Sequence, residues 1–411
     1  MGKLTKIFTL FLVSCSLYAK SFLLSPLPLP HTEVLDIELD RCDKECLLSF
    51  LKSGEVFSFL AKASKVQDET IRENYQLLAS LLNITPSFVY THKLKIAMLL
   101  PTKKIGKYAQ SSTKSVISYL LTKNVKFHLK SFEIEDEEYL TIQSALSKLE
   151  SENFDFVIAP LTLEGAKNLA SIPTFLNIYV PTVNKNDIKN LQNTNLIFGG
   201  IDYKDQIEEL LDFANEKIVI FYEIESPLAH KLTTIIENES NKSIVKKIKL
   251  KDEVANLKRY FYKNQELNSS TIFLNTPIVK SSLIMSQLTL YNLEPQNILS
   301  TQINYNPLIF SLTQYKDRKS LILANSINGG SNYLEEINSL LNNDIVYNWI
   351  NYSVSIGIDY FYAKKSKDKR VFTEELVDNQ VIYNVYLEKA LLGRFKTLER
   401  NFEIDQETPL E

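Results

Sequence analysis

The chain has 411 residues with 46 Lys+Arg against 49 Asp+Glu, and a net charge of −3 points neither to a basic nucleic-acid binder nor to an acidic tail. An apolar content of 45% with only 13 Pro excludes wholesale disorder, and the length allows two or three cores at roughly 100–200 residues each. None of the 10 Gly stands in a G-x-G arrangement, so a glycine-rich nucleotide fingerprint is excluded as well.

Lys3 and Lys6 precede an apolar run at 7–13 that is too short to span a bilayer, the arrangement of an export signal. Two processing routes fit it. Ser16-Leu17-Tyr18-Ala19 before Lys20 suits signal peptidase, making 1–19 the signal and the mature protein periplasmic. Leu12-Val13-Ser14-Cys15 resembles a lipobox, whose acylated Cys15 would anchor the chain in the outer membrane. No later segment approaches 18 uninterrupted apolar residues, so no transmembrane segment is expected in the mature chain.

Residues 20–90 read as a Pro-containing lead-in, with Pro26, Pro28 and Pro30, and a helical segment. Leu47, Leu48 and Leu51, then Phe57, Leu60 and Ala61, then Ile71, Leu77, Leu78, Leu81 and Leu82 recur near helical spacing, with breaks at Gly54 and Gln67-Asp68 and an end at Pro86. Cys42 and Cys46 form an even pair in an oxidising compartment, and residues four apart on a helix lie within bridging range, so a local disulfide is expected. Two buried free thiols are the alternative; a zinc site would need a second ligand-rich segment.

From residue 93 strands alternate with helices. The run 95–100 is almost continuously apolar, as in a central parallel strand. A helix with Val116, Ile117, Leu120 and Leu121 on one stripe follows; Val125, Phe127 and Leu129 then alternate with Lys126, His128 and Lys130 as in a half-buried edge strand. Ile142, Ala145, Leu146 and Leu149 give the next helix, 154–159 the next buried strand, and 162–170 and 189–191 helical links before 196–199. After Gly199-Gly200 the alternation resumes: a helix at 207–214, a strand at 217–222, a helix opened by Ser226-Pro227, strands at 244–250 and 271–275 around a helix at 254–262, then 298–303 and 320–324, and a late helix at 349–363. The tail, 371–376 and 381–386 around Asp378-Asn379, reads as a hairpin. Two β-α-β-α blocks imply an α/β protein with two parallel-sheet lobes. Lobe 1 is expected at about 93–200 and 320–365, lobe 2 at about 201–319 and 366–400.

The runs Lys95-Ile96-Ala97-Met98-Leu99-Leu100-Pro101, Phe154-Asp155-Phe156-Val157-Ile158-Ala159-Pro160-Leu161 and Ile197-Phe198-Gly199-Gly200-Ile201-Asp202 resemble the type I periplasmic binding fold. Gly357-Ile358-Asp359-Tyr360-Phe361-Tyr362-Ala363, with the hairpin after it, is similar to the penicillin-binding-protein activator family, a lipoprotein branch of that fold. The resemblance covers residues 93–400. It implies a bilobal envelope protein without catalysis or cofactor, which either clamps a small ligand between lobes or contacts a peptidoglycan synthase or other envelope protein. Two departures stand out: Thr102-Lys103-Lys104-Ile105 replaces the glycines common after strand one, and Ala159 precedes Pro160 where the family often has Gly.

Ligands of such sheets lie beyond the carboxyl ends of the strands. The candidates there are Tyr108, Ser111 and Ser112 after strand one, Thr162 after strand three, and Tyr203 and Glu223. Hydroxyls and helix N–H groups would hold a carboxylate or phosphate and the tyrosines an apolar body; helix capping and lobe packing are the alternative roles. The acidic run 133–138 is read as solvated partners of a helix N-terminus. His31, His92, His128 and His230 are isolated, and no H-E-x-x-H, G-x-S-x-G or Walker motif appears, so no metal, catalytic residue or cofactor is expected. The 21 Tyr and 22 Phe accompany Leu and Ile at core spacing, which speaks against nucleic acid. Glu239-Ser240-Asn241-Lys242-Ser243 and Glu266-Leu267-Asn268-Ser269-Ser270 fit the acidic-x-Asn-x-Ser/Thr acceptor of bacterial N-glycosylation, with Asn241 and Asn268 as the acceptors.

Overall fold

The computed structural model describes residue 34, residues 42–63, 66, 68–82, 84, 94–123, 125–189, 191, 193–251 and 257–398. The expected signal, Cys15, the proline lead-in, His31 and His92 lie outside the described residues. The chain divides into two compact units, 1–91 and 92–411.

Among the described residues the first unit has three helices, Lys44–Ser53, Val56–Ala63 and Glu69–Leu81. The Asp43 carboxylate accepts from the Cys46 N–H at 3.0 Å and starts the first helix. Gly54 ends it in the left-handed region, φ +77°, with its N–H returned to Phe50 and Leu51. Leu47, Phe59, Leu60, Ile71 and Tyr75 form a separate core. Cys42 and Cys46 are bonded, with Cα atoms 5.4 Å apart.

The second unit holds two seven-stranded sheets. The first is ordered β11-β12-β5-β4-β3-β1-β2, where β1 is Leu94–Leu100, β2 Phe127–Glu133, β3 Phe156–Ile158, β4 Ile178–Val180, β5 Leu196–Phe198, β11 Glu375–Val377 and β12 Gln380–Ile382. The second is ordered β14-β13-β10-β9-β8-β6-β7, where β6 is Lys217–Glu223, β7 Ser243–Leu250, β8 Thr271–Asn275, β9 Asn297–Ser300, β10 Leu321–Asn325, β13 Tyr386–Ala390 and β14 Phe395–Thr397. All pairings are parallel except β11–β12, β10–β13 and β13–β14. β2 is an edge strand whose upward-facing residues are only half-buried, in keeping with its alternating pattern. Asp378 and Asn379 both have positive φ, +47° and +62°, and close the β11–β12 hairpin.

Sheet membership corrects the expected lobe boundaries. β10 runs parallel to β9 and so belongs to the second sheet, although 320–365 is expected in lobe 1. β12 pairs with β5 at Gln380↔Phe198, so the first hairpin of the 366–400 stretch joins lobe 1; only β13 and β14 join lobe 2. The chain therefore crosses between lobes after β5, after β10 and after β12. Two local details accompany this. A 3-10 turn at Lys185–Asp187 precedes the helical link expected at 189–191, where residue 190 is outside the described residues, and of the helix expected at 254–262 the described part holds one turn, Lys258–Phe261, with 252–256 outside the described residues.

The late helix, Trp349–Ser366, is buried without interruption from Asn351 to Asp359, with the polar side chains of Asn351, Ser353, Ser355 and Asp359 buried among the apolar ones. A β-carbon at Gly357 would overlap the Tyr179 ring, so glycine is what lets the helix lie against β4. Asp359, fully buried, accepts from the Tyr119 hydroxyl at 2.8 Å, Val371 N–H at 2.9 Å, Arg370 Nε at 3.2 Å and Phe372 N–H at 3.3 Å. Burial, and then the Asp359 charge, push the Tyr119 hydroxyl far above its ordinary pKa. The stretch that carried the resemblance is thus an internal bolt of lobe 1.

Candidate functional site

In each sheet the chain leaves a central strand for the edge on one side and returns on the other, at β1/β3 in the first sheet and β6/β8 in the second. Such switch points open a crevice at the carboxyl ends of the strands. The six candidate residues lie at or after strand ends, and the side chains of Ser111, Thr162 and Glu223 already have partners within the protein.

In lobe 1, Thr162 caps the helix Leu163–Ala170, accepting from Gly165 N–H. Its own N–H donates to Glu137 Oε1 at 2.8 Å and its hydroxyl donates to Glu137 Oε2. Asn168 Nδ2 holds the Glu137 carbonyl at 2.7 Å. Glu137 is only 4% exposed, so the acidic run is not uniformly solvated as expected; one of its members is folded inward as an internal anion at a helix start. Asp136 keeps the expected role beside the helix Tyr139–Ser151: hydrogen bonds from Thr141 and the Glu138 N–H hold its carboxyl below the usual range. Tyr108 is partly exposed, Ser111 bonds back to the Tyr108 carbonyl at 3.4 Å, and Ser112 is fully buried with its hydroxyl unpartnered among the described residues.

In lobe 2, Glu223 ends β6 and forms a nearly buried ion pair with Lys280, at 11% and 12% side-chain exposure. Tyr203 opens the helix Tyr203–Leu211; its hydroxyl is buried, unpartnered among the described residues and pushed well above its ordinary pKa by desolvation first, then by Tyr108 and Asp187. Lys231 lies over the Tyr203 ring at 5.9 Å and reaches across to Asp187 of lobe 1 at 2.6 Å. The crevice is therefore bridged by an ion pair from one lobe to the other.

A further polar row lines the carboxyl edge of the second sheet. Asn304 Nδ2 donates to Ser300 Oγ at 2.8 Å, Ser281 Oγ at 3.0 Å and the Thr276 carbonyl at 3.1 Å; Gln302 Oε1 accepts from Ser326 N–H at 2.6 Å; Asn275 Nδ2 donates to Thr233 Oγ1 at 3.0 Å. Asn275 Oδ1, Thr301 Oγ1, Gln302 Nε2 and Asn304 Oδ1 have no partner among the described residues.

The crossings are tightly held. A β-carbon at Gly200 would overlap the Val183–Asn184 backbone. The Gly199 carbonyl accepts from Tyr383 at 2.7 Å and Ser353 at 2.9 Å, joining the first crossing to the third and to the late helix.

The residues that sequence reasoning missed are Glu137, Lys280, Lys231 and Asp187. None carries a local signature, because each is defined by a partner 25 to 57 positions away. Among the described residues no group of His, Cys, Asp and Glu could hold a metal, and no helix is long and apolar enough to cross a membrane. A concavity of about 720 Å³ lies at the amino-terminal edge of the second sheet, beside Pro295, Asn297, Lys316 and Lys389, away from the crevice.

No family model matches the sequence, and no curated protein sequence does. Solved structures do match the architecture. The substrate-binding protein LivJ of the branched-chain amino acid transporter from Streptococcus pneumoniae, in complex with isoleucine, is 11% identical, with 75% of this chain and 99% of that one covered at a TM-score of 0.55. The leucine-binding protein LivK from Thermotoga maritima is 12% identical, with 74% and 98% covered at 0.52. LpoA from Haemophilus influenzae is 9% identical, with 84% and 69% covered at 0.47. With its two switch-point sheets and three crossings, the second unit has the type I periplasmic binding fold.

Proposed function

We propose that the protein is a non-enzymatic interaction protein of the cell envelope, and that regulation or scaffolding of peptidoglycan synthesis is the role to test first. The observation that carries this reading is Glu137. The helix start after β3, where a ligand carboxylate would dock, holds the protein's own carboxylate. The Glu223–Lys280 pair and the Asp187–Lys231 bridge support it, because both engage crevice charges with one another. The partner class comes from the similarity of residues 357–363 and the hairpin to the activator family. Gly357, Ile358, Asp359, Phe361 and Tyr362 are buried, so they do not themselves form a contact surface. The export-type pattern of residues 1–19 supports a periplasmic mature chain, or one held on the outer membrane through an acylated Cys15; intact mass separates the two. Affinity capture from envelope extracts should recover a peptidoglycan synthase, and loss of glycan-polymerising activity from the captured fraction would remove the role.

A second reading is a solute receptor. It is favoured by the unpartnered amides and hydroxyls of the second sheet's edge and by neighbours of the same fold bound to amino acids. Amino acids, peptides and muropeptides that bind only the native state would raise the melting temperature. Flat melting curves at millimolar ligand would count against it.

A further inference from the structure

The two acidic-x-Asn-x-Ser stretches are equivalent in sequence and opposite in structure. An asparagine accepts a glycan on a folded protein only where its amide is free, the hydroxyl two residues on is reachable, and the backbone between them can enter a transferase cleft.

The 239–243 stretch meets the first two conditions; between Asn241 and Ser243 its backbone is held at Lys242 N–H, by Ser240 Oγ at 3.1 Å, and at Ser243 N–H, by the Glu216 carbonyl at 3.1 Å, while Lys242 Nζ donates to the Leu211 carbonyl at 3.0 Å. It links the helix Pro227–Glu239 to β7, which is the edge strand of its sheet. Asn241 and Ser243 are exposed, and the Asn241 side chain makes no hydrogen bond within the described residues. The Glu239 carboxylate is held at 2.5 Å by Lys204, in an ion pair whose Glu239 side is half-buried.

The 266–270 stretch fails each condition. Asn268 Nδ2 donates to Gln265 Oε1 at 2.5 Å, and its Oδ1 accepts from the Glu294 N–H at 2.9 Å. Ser270 is fully buried, with its hydroxyl bonded to the Leu267 carbonyl at 2.9 Å. The backbone is tied on both sides of Asn268: Ser269 N–H donates to the Glu294 carbonyl and Gln296 N–H to the Ser270 carbonyl, each at 2.9 Å. Leu267, with no exposure, anchors the turn in the lobe 2 core.

We infer that the folded protein is an acceptor for bacterial N-glycosylation at Asn241 and that its fold withholds Asn268. In the transfer, the Asn241 amide nitrogen forms a bond to the anomeric carbon of an oligosaccharide carried on a polyprenyl diphosphate. The bond from that carbon to the diphosphate oxygen breaks, polyprenyl diphosphate leaves with the electron pair, and the amide proton passes to a carboxylate of the transferase. Apart from an exported location, this assignment shares nothing with the proposed function.

The purified folded chain, incubated with a bacterial oligosaccharyltransferase and a polyprenyl-diphosphate oligosaccharide, should gain one glycan, mapped to Asn241 by peptide mass. Asn241→Gln should abolish the gain, Asn268→Gln should leave it unchanged, and Glu239→Ala should slow it at least ten-fold. A synthetic peptide spanning 262–274 should be modified at Asn268, which would assign the protection to the fold. Transfer to Asn268 of the folded chain as fast as to Asn241, absence of transfer to Asn241, or refusal of the 262–274 peptide would each overturn the inference.

Discussion

The carboxyl edges of the two sheets share a topology and differ in chemistry. In the first lobe the switch-point donors of Thr162 meet a carboxylate from the same lobe, and Glu137 serves both the N–H and the hydroxyl. In the second lobe, the edge is built of amides and hydroxyls that bond to one another and still leave Asn275 Oδ1, Thr301 Oγ1, Gln302 Nε2 and Asn304 Oδ1 over. A carboxylate has four lone-pair sites and can serve two donors from one position, whereas a planar amide points donors and acceptor in fixed and opposite directions. The satisfied helix start at Thr162 and the residual capacity at the second edge follow from that choice of residue type.

Breaking the first lobe at its bolt should have the largest effect. Asp359→Ala leaves Tyr119, Arg370 and two buried N–H groups without their acceptor, and is expected to cost about 4 kcal/mol in urea unfolding. At the second lobe's edge, Lys280→Met strands Glu223 at 11% exposure and should cost on the order of 3 kcal/mol; adding Glu223→Gln should restore most of it. A double mutant no better than the single would show that the two charges do not act as a pair. Back in the first lobe, Glu137→Ala removes a charge-assisted acceptor and should cost about 2 kcal/mol. Acetate should recover part of that loss by entering the vacated position, and an identical melting curve with and without acetate would argue that the position is not an anion site.

The legible parts of the fold were those set by local pattern. β1 and β3 stand out as unbroken apolar runs because both their faces are covered, and Asp378-Asn379 marks its turn because few residues accept positive φ twice in succession. β4, Ile178–Val180, has no counterpart among the expected elements. The lobe boundaries were misjudged because the sheet a strand joins is settled by where the chain crosses, and nothing local to 321–325 or 380–382 records that. The same division holds at the site. Thr162 and Glu223 stand out in the sequence because one follows a strand and the other ends one, whereas Glu137 reads like any other member of an acidic run because its partner Thr162 lies 25 residues away.

The smallest expected effect discriminates best between an edge that is sealed and one that holds a guest. Thr301 is fully buried and its hydroxyl bonds to nothing within the described residues, while its neighbour Asn304 donates to three close acceptors. Thr301→Val replaces that hydroxyl with a methyl group of similar size. In a sealed edge the hydroxyl carries an uncompensated desolvation cost, so the substitution should leave stability unchanged or raise it by about 0.5–1 kcal/mol. If a water or a ligand group is bonded to Oγ1, the same change removes that bond and lowers stability by about 1 kcal/mol, and any thermal shift produced by an amino acid should shrink with it. Urea unfolding of this one variant, with Asn304→Ala as the control that loses stability in either case, therefore reports whether the second lobe's leftover polar atoms face protein alone.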